Sequence, residues 1–163
     1  MNYSPTGREF PRGTIDKSMT SFTFSDPNFE ARVRANFTRQ GMLTILGGEI
    51  GLVRPGEVHL LTPFDARFTQ QDGFLHAGIV TTLMDSACGY AAFSLMPADA
   101  RVLSVEFKVN LLSPACGERF RAEGRVIKAG RTLTVCEGKL FSIQGDNETL
   151  CGLMQATMIC IRE

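Results

Sequence analysis

Apolar positions recur along this chain with two periods, and the changes of period divide it into elements. From Pro27 the run N-F-E-A-R-V-R-A-N-F-T-R-Q-G sets Phe29, Val33 and Phe37 at four-residue spacing, which predicts a helix with Gly41 as its stop. Between Gly47 and Leu61 two short extended runs, E-I-G-L-V and E-V-H-L-L-T, flank the turn Arg54-Pro55-Gly56 and predict a hairpin. Asp72-Gly73 marks another turn. After it, Ile79, Val80, Leu83, Met84, Ala87, Ala91 and Leu95 repeat at three and four, predicting a long helix from His76 to about Leu95. Few charges lie on any face of it, and Gly89, Ala91 and Ala92 permit close packing, so the rest of the chain is expected to wrap it.

Beyond that helix the period falls to two. Leu103, Val105, Phe107, Val109 and Leu111 alternate with Ser104, Glu106, Lys108 and Asn110, the pattern of a half-buried strand with Ser104 on its polar side. Ser113 to Gly117 reads as a turn, residues 118–129 as a second strand, and Lys128 to Arg131 as a further turn. Residues 132–143 and 149–161 supply two more strands, and the even spacing predicts a four-stranded antiparallel meander. Hairpin, helix and meander together give an α+β fold, a curled antiparallel sheet around one long helix. Residues 1–26, rich in Ser, Thr, Pro and Gly and without a sustained period, read as a partly ordered N-terminal arm; residues 27–163 read as one domain.

A length of 163 residues suits a single core. The 17 basic and 17 acidic side chains balance, so no net charge recommends nucleic acid or an anionic membrane. Five cysteines without a C-x-x-C pair, beside two histidines, form no zinc-site pattern, so no metal is expected. Reduced thiols in a cytoplasm are the expectation. The N-terminal run lacks the apolar stretch of a secretory signal. The apolar segment Gly78 to Met96 holds Asp85 near its centre, which points to a helix buried in protein rather than in a membrane.

Asp85 is the only acid between Asp72 and Asp99. A carboxylate there can attack a substrate or activate water; alternatively it is a structural side chain bonded to Ser86, Thr81, Thr82 or a partner chain. The helix start at His76-Ala77-Gly78 offers unpaired N–H groups and the positive end of a dipole, suited to polarising a carbonyl. The plainer reading is an ordinary helix start at which Gly78 avoids a clash. Ala77 and Asp85, eight residues apart, lie about 12 Å apart along a straight helix. One small carbonyl does not easily meet both from the same chain, so if both act on it a second subunit supplies the Asp. Lys128, Arg131 and Arg125 on or near one turn are suited to phosphates. Cys88 has no histidine placed in sequence to activate it.

The stretch D-G-F-L-H-A-G-I-V-T-T-L-M-D-S-A, residues 72–87, resembles the hotdog-fold thioesterases. The likeness is to the branch that includes phenylacetate-pathway thioesterases and the small mammalian acyl-CoA thioesterases, with their His-Gly-Gly followed by Leu-x-Asp. S-V-E-F-K-V-N-L-L-S-P-A from Ser104 and K-A-G-R-T-L from Lys128 resemble the strand after the helix and the turn that meets the coenzyme. The three blocks in order make the resemblance specific. It covers roughly Glu49 to Ile161. Ala77 stands at the first glycine of the motif, and Gln70 where many relatives carry Asn.

The resemblance implies a hotdog fold and hydrolysis of an acyl- or aryl-acyl-CoA to free acid and coenzyme A. Asp85 is then nucleophile or general base, with the Ala77 and Gly78 N–H groups polarising the thioester. Ser104 and Gln70 are implied to hold water or thioester, and His76 to tie the loop to the helix start. Substrate contacts are implied at Thr81, Thr82, Glu106 and Leu111, and coenzyme contacts at Lys128, Ala129, Gly130, Arg131, Thr132 and Leu133. A homodimer or homotetramer is implied, with no cofactor beyond the coenzyme A of the substrate. Hydratases of this fold pair a His with the Asp, and neither His59 nor His76 sits in their motif. The remaining alternative is a non-catalytic acyl-CoA sensor. Such sensors carry a DNA-binding segment ahead of the domain; here residues 1–47 hold six basic against four acidic side chains and show no helix-turn-helix.

Overall fold

The computed structural model describes residues 22–162. Most of the expected N-terminal arm lies outside the described residues. The elements are helices α1 (Phe29–Phe37), α2 (Gly41–Ile45) and α3 (Ala77–Phe93), and strands β1 (Glu49–Arg54), β2 (Glu57–Pro63), β3 (Arg101–Leu111), β4 (Arg119–Ala129), β5 (Leu133–Gln144) and β6 (Asn147–Ile161). One six-stranded antiparallel sheet curls around α3, the curled sheet and central helix expected.

The strand order, β1-β2-β4-β5-β6-β3, corrects the meander. Strand β3 pairs with β6 on the far edge rather than with β4. Residues 112–118 cross the end of the sheet instead of turning back. The Leu112 N–H donates to the Cys151 carbonyl on β6, and the Glu118 N–H to the Ile143 carbonyl on β5, at 2.8 and 2.9 Å. Alternation fixes which face a strand buries, not which neighbour it pairs with.

Gly41 does not stop the first helix for good; it begins α2. That short helix exists because Leu43 and Leu46 reach the core, at 1% and 4% exposure. Its stop is Gly47, at φ 63°, with the Gly48 N–H on the Leu43 carbonyl at 2.8 Å and the Gly47 N–H on the Thr44 carbonyl at 3.1 Å. A left-handed residue there turns the chain sharply into β1.

Helix α3 sits on the concave face of the sheet, with Leu83, Met84, Ala87, Cys88 and Ala91 sealed against it. Contact is closest at Gly124 of β4, where a Cβ would fall 2.1 Å from the Ala87 carbonyl. Arg32 of α1 holds the far end of α3. Its Nη2 donates to the Phe93 and Met96 carbonyls at 3.1 and 2.7 Å, its Nε to Asp26 at 2.7 Å, and its guanidinium stacks 4.1 Å over the Phe93 ring. This clamp answers carbonyls left open at a helix C-terminus and lays α1 along α3.

Candidate active site

Two groups of side chains predicted from the sequence lie at the two ends of the first half of α3, its middle at Asp85 and its start at Ala77. At one end, Asp85 on α3 meets Ser104 on β3: the Ser104 hydroxyl donates to Asp85 Oδ1 at 2.6 Å. Asp85 is half-buried, and its Oδ2 accepts nothing within the described residues. Ser104 was expected on the polar side of its strand and in fact faces the helix. The reason is a bulge between Ser104 and Glu106 that resets the alternation. Ser104 pairs with the sealed Met158, and after the bulge Phe107 pairs with the sealed Ala156, so both face inward.

Asp85 and Ser104 border a cavity of about 250 Å³ together with Ser86, Gly89 and Tyr90 of α3, and with Asn36 and Gln40 from the α1 end. The last three were not singled out in the sequence. A buried aromatic on an apolar helix reads as core, and nothing in the pattern of α1 says what it covers.

At the other end is the start of α3. His76 caps it, its Nδ1 accepting from the Gly78 N–H at 2.9 Å, so the ring proton sits on Nε2. The Ile79 and Val80 N–H groups donate to the His76 carbonyl. That leaves the exposed Ala77 N–H with no partner among the described residues. Of the two expected donors, Gly78 is therefore occupied and Ala77 is free. Ala77 opens on a second cavity of about 350 Å³, shared with Gln70, Phe74, Leu111 and Cys151. Both ends of the Gln70 amide are engaged by Asp72: its Oε1 accepts from the Asp72 N–H, and its NH₂ donates to Asp72 Oδ2 at 3.5 Å. The Thr81 and Thr82 hydroxyls bond back to the Ala77 and Gly78 carbonyls, each at 2.9 Å, so neither partners Asp85.

The other expected contacts distribute as follows. Lys128 to Leu133 form the exposed β4–β5 turn, closed by the Gly130 N–H on the Leu133 carbonyl at 2.9 Å. Thr134, just beyond it, pairs with Met158, which pairs on its other side with Ser104. The turn therefore sits at the Asp85 end, two strands or about 10 Å from Ser104. Glu106 points away from both cavities and accepts from the Thr157 hydroxyl on the outer face. Cys88 and Cys136 are buried, and burial pushes the Cys88 thiol up and that of Cys136 to about 12, which makes neither a nucleophile. Among the described residues no helix is long and apolar enough to cross a membrane.

In one chain, then, a carboxylate with a serine partner and a free N–H at a helix start line separate cavities. Residues 72–149 match the sequence profile of the thioesterase superfamily. A thioesterase family protein from Silicibacter pomeroyi is 49% identical, with a TM-score of 0.82 over 83% of this chain and 99% of that one. A Halobacterium salinarum protein provisionally named as an esterase is 32% identical over 124 residues, 73% of this chain and 80% of that one. The PaaI protein from the phenylacetic acid degradation operon of Escherichia coli, 16% identical, shares the fold: TM-score 0.75 over 82% of this chain and 94% of that one.

Proposed function

We propose, from the premise that this chain belongs to the thioesterase superfamily and hydrolyses thioesters, that its substrate is an acyl-coenzyme A and its active site is shared between two subunits. The observation that carries this reading is the separation of Asp85 from the free Ala77 N–H into two cavities that share no lining residue. A two-fold partner resolves it. Among the described residues strand β3 is bonded on one side only, by β6, and Leu103, Val105, Phe107 and Leu111 are between 46% and 57% exposed. An apolar, half-paired edge is a template for a second strand. Two-fold self-pairing of β3 is antiparallel, so the Ser104 end of one copy lies beside the Leu111 end of the other. Leu111 borders the Ala77 cavity, so each Asp85 would then stand next to the partner's helix start.

In the assembled site the Ala77 N–H and the positive end of α3 hold the thioester oxygen as charge develops on it. Asp85, fixed through Oδ1 by Ser104, takes a proton from water at Oδ2. Water oxygen bonds to the thioester carbon, the carbon–sulfur bond breaks, and the proton held by Asp85 passes to the leaving thiolate. The basic β4–β5 turn, with Lys128 and Arg131, lies at the Asp85 end and suits the phosphates of the coenzyme.

Thiol release from acyl-CoAs of graded length, and from phenylacetyl-CoA, tests this reading. Asp85→Asn is expected to lower kcat by roughly 10³-fold while leaving the melting temperature within a few degrees. A wild-type protein that binds acyl-CoA and releases no thiol from any of them would be a sensor, and the enzymatic reading would fall.

A further inference from the structure

The cavity beside Asp85 holds two polar side chains that the reading above does not use. Tyr90 is 4% exposed, and its hydroxyl makes no hydrogen bond among the described residues. Gln40, over the same cavity, makes no side-chain hydrogen bond either, and its Oε1 is sealed from solvent. Of the two, the Gln40 Oε1 is a sealed atom without a partner, which calls for an explanation; the Tyr90 hydroxyl is not sealed, so it is open to a water in the cavity. Packing alone does not account for Tyr90: its ring lies 6.0 Å from that of Phe37 in a tilted contact that a phenylalanine makes equally well. The hydroxyl is the group left over, and it lines the same cavity as Asp85.

We infer that Tyr90 is a positioning residue for the attacking water. This rests on Asp85 as general base. A water in a cavity of about 250 Å³ needs two to four polar partners. Here the Tyr90 hydroxyl donates to the water oxygen, and the water donates one hydrogen to Asp85 Oδ2. The second lone pair on the oxygen stays free for the thioester carbon. Burial pushes the phenol up to about 12, so it remains a protonated donor at the pH at which Asp85 is a carboxylate. Tyrosine transfers no proton; it fixes where the oxygen sits when Asp85 takes one.

The test measures wild type, Tyr90→Phe and Asp85→Asn with the acyl-CoA turned over fastest, with hydroxylamine added as a second nucleophile. In Tyr90→Phe, kcat for hydrolysis is expected to fall roughly tenfold with KM unchanged within about twofold. Hydroxylamine does not depend on the water site, so the ratio of hydroxamate to free acid should rise by about the same factor. Hydroxylamine also attacks thioesters without enzyme; once that enzyme-free hydroxamate is subtracted, the ratio is independent of how much of the variant is folded. A purely structural role lowers both products together, and an unchanged ratio would overturn the inference while leaving Asp85 in its role. Full activity in Asp85→Asn, or no turnover of any acyl-CoA by the wild type, would instead overturn the reading beneath it.

Discussion

Gly124 leaves no room for a side chain, and it shows how narrowly single positions hold this fold. An added Cβ would meet the Ala87 carbonyl at 2.1 Å and the Cys88 nitrogen at 2.5 Å, both backbone of α3. Backbone cannot rotate aside, so Gly124→Ala has to lift the helix from the sheet. The expected cost is about 3 kcal/mol, or about 10 °C in melting temperature for a chain of this size. Gly152→Ala meets the far end of the Met84 side chain at 3.0 Å, which can move, and Val80 Cγ1 at 3.1 Å, which has to give by only a few tenths of an ångström, and should lose less than Gly124→Ala in the same thermal unfolding experiment. Residue-scale chemistry is unevenly legible in the sequence. Asp85 stands out because a lone acid in a neutral helix has no bland surroundings to hide in. Gly124 reads as one more small residue in an alternating strand, and Tyr90 as core, because their significance lies in what the opposite element puts against them.

At the level of elements, periodicity located nearly every helix and strand, because most bury one face against α3 or are α3 itself. What it missed follows from contacts distant in sequence. The place of β3 beside β6 is set by how residues 112–118 cross the sheet end, and the bulge after Ser104 by the pairing of β3 with Met158 and Thr157. Ser104 was therefore assigned to the wrong side of its strand, although its partnership with the site was anticipated from the family likeness. Helix α1 offers an element-scale prediction. It is fastened to α3 through Arg32, whose Nε meets the buried Asp26 and whose Nη2 meets two carbonyls. Arg32→Met leaves Asp26 Oδ2 and the Met96 carbonyl without their donor, while the Asn28 and Met96 N–H groups still serve Asp26 Oδ1 and the Phe93 carbonyl, so the melting temperature is expected to fall. Hydrogen exchange should show amides of residues 29–45 losing protection before those of α3. Equal protection in the variant and the wild type would mean that α1 is held by its apolar face alone.

For the whole molecule, the proposed function turns on the separation of the two half-sites. The sequence carried the spacing of Ala77 and Asp85 and hence the argument for a second subunit. It did not carry the arrangement that makes the argument specific: one half-site at each end of an exposed edge strand, so that a two-fold axis through β3 joins unlike ends. Subunit mixing tests this most directly. Ala77→Pro deletes the free N–H at a helix position where proline is tolerated, and His76 already has the extended ψ of 138° that a following proline requires. Asp85→Asn deletes the proposed base. Each variant alone should be nearly inactive. Mixed in equal amounts after reversible dissociation, half the dimers would pair unlike subunits, and each of these holds one intact site of two. About a quarter of wild-type activity should therefore return. If each chain carries its own complete site, every site in the mixture is defective, and an inactive mixture of well-exchanged dimers would contradict the account.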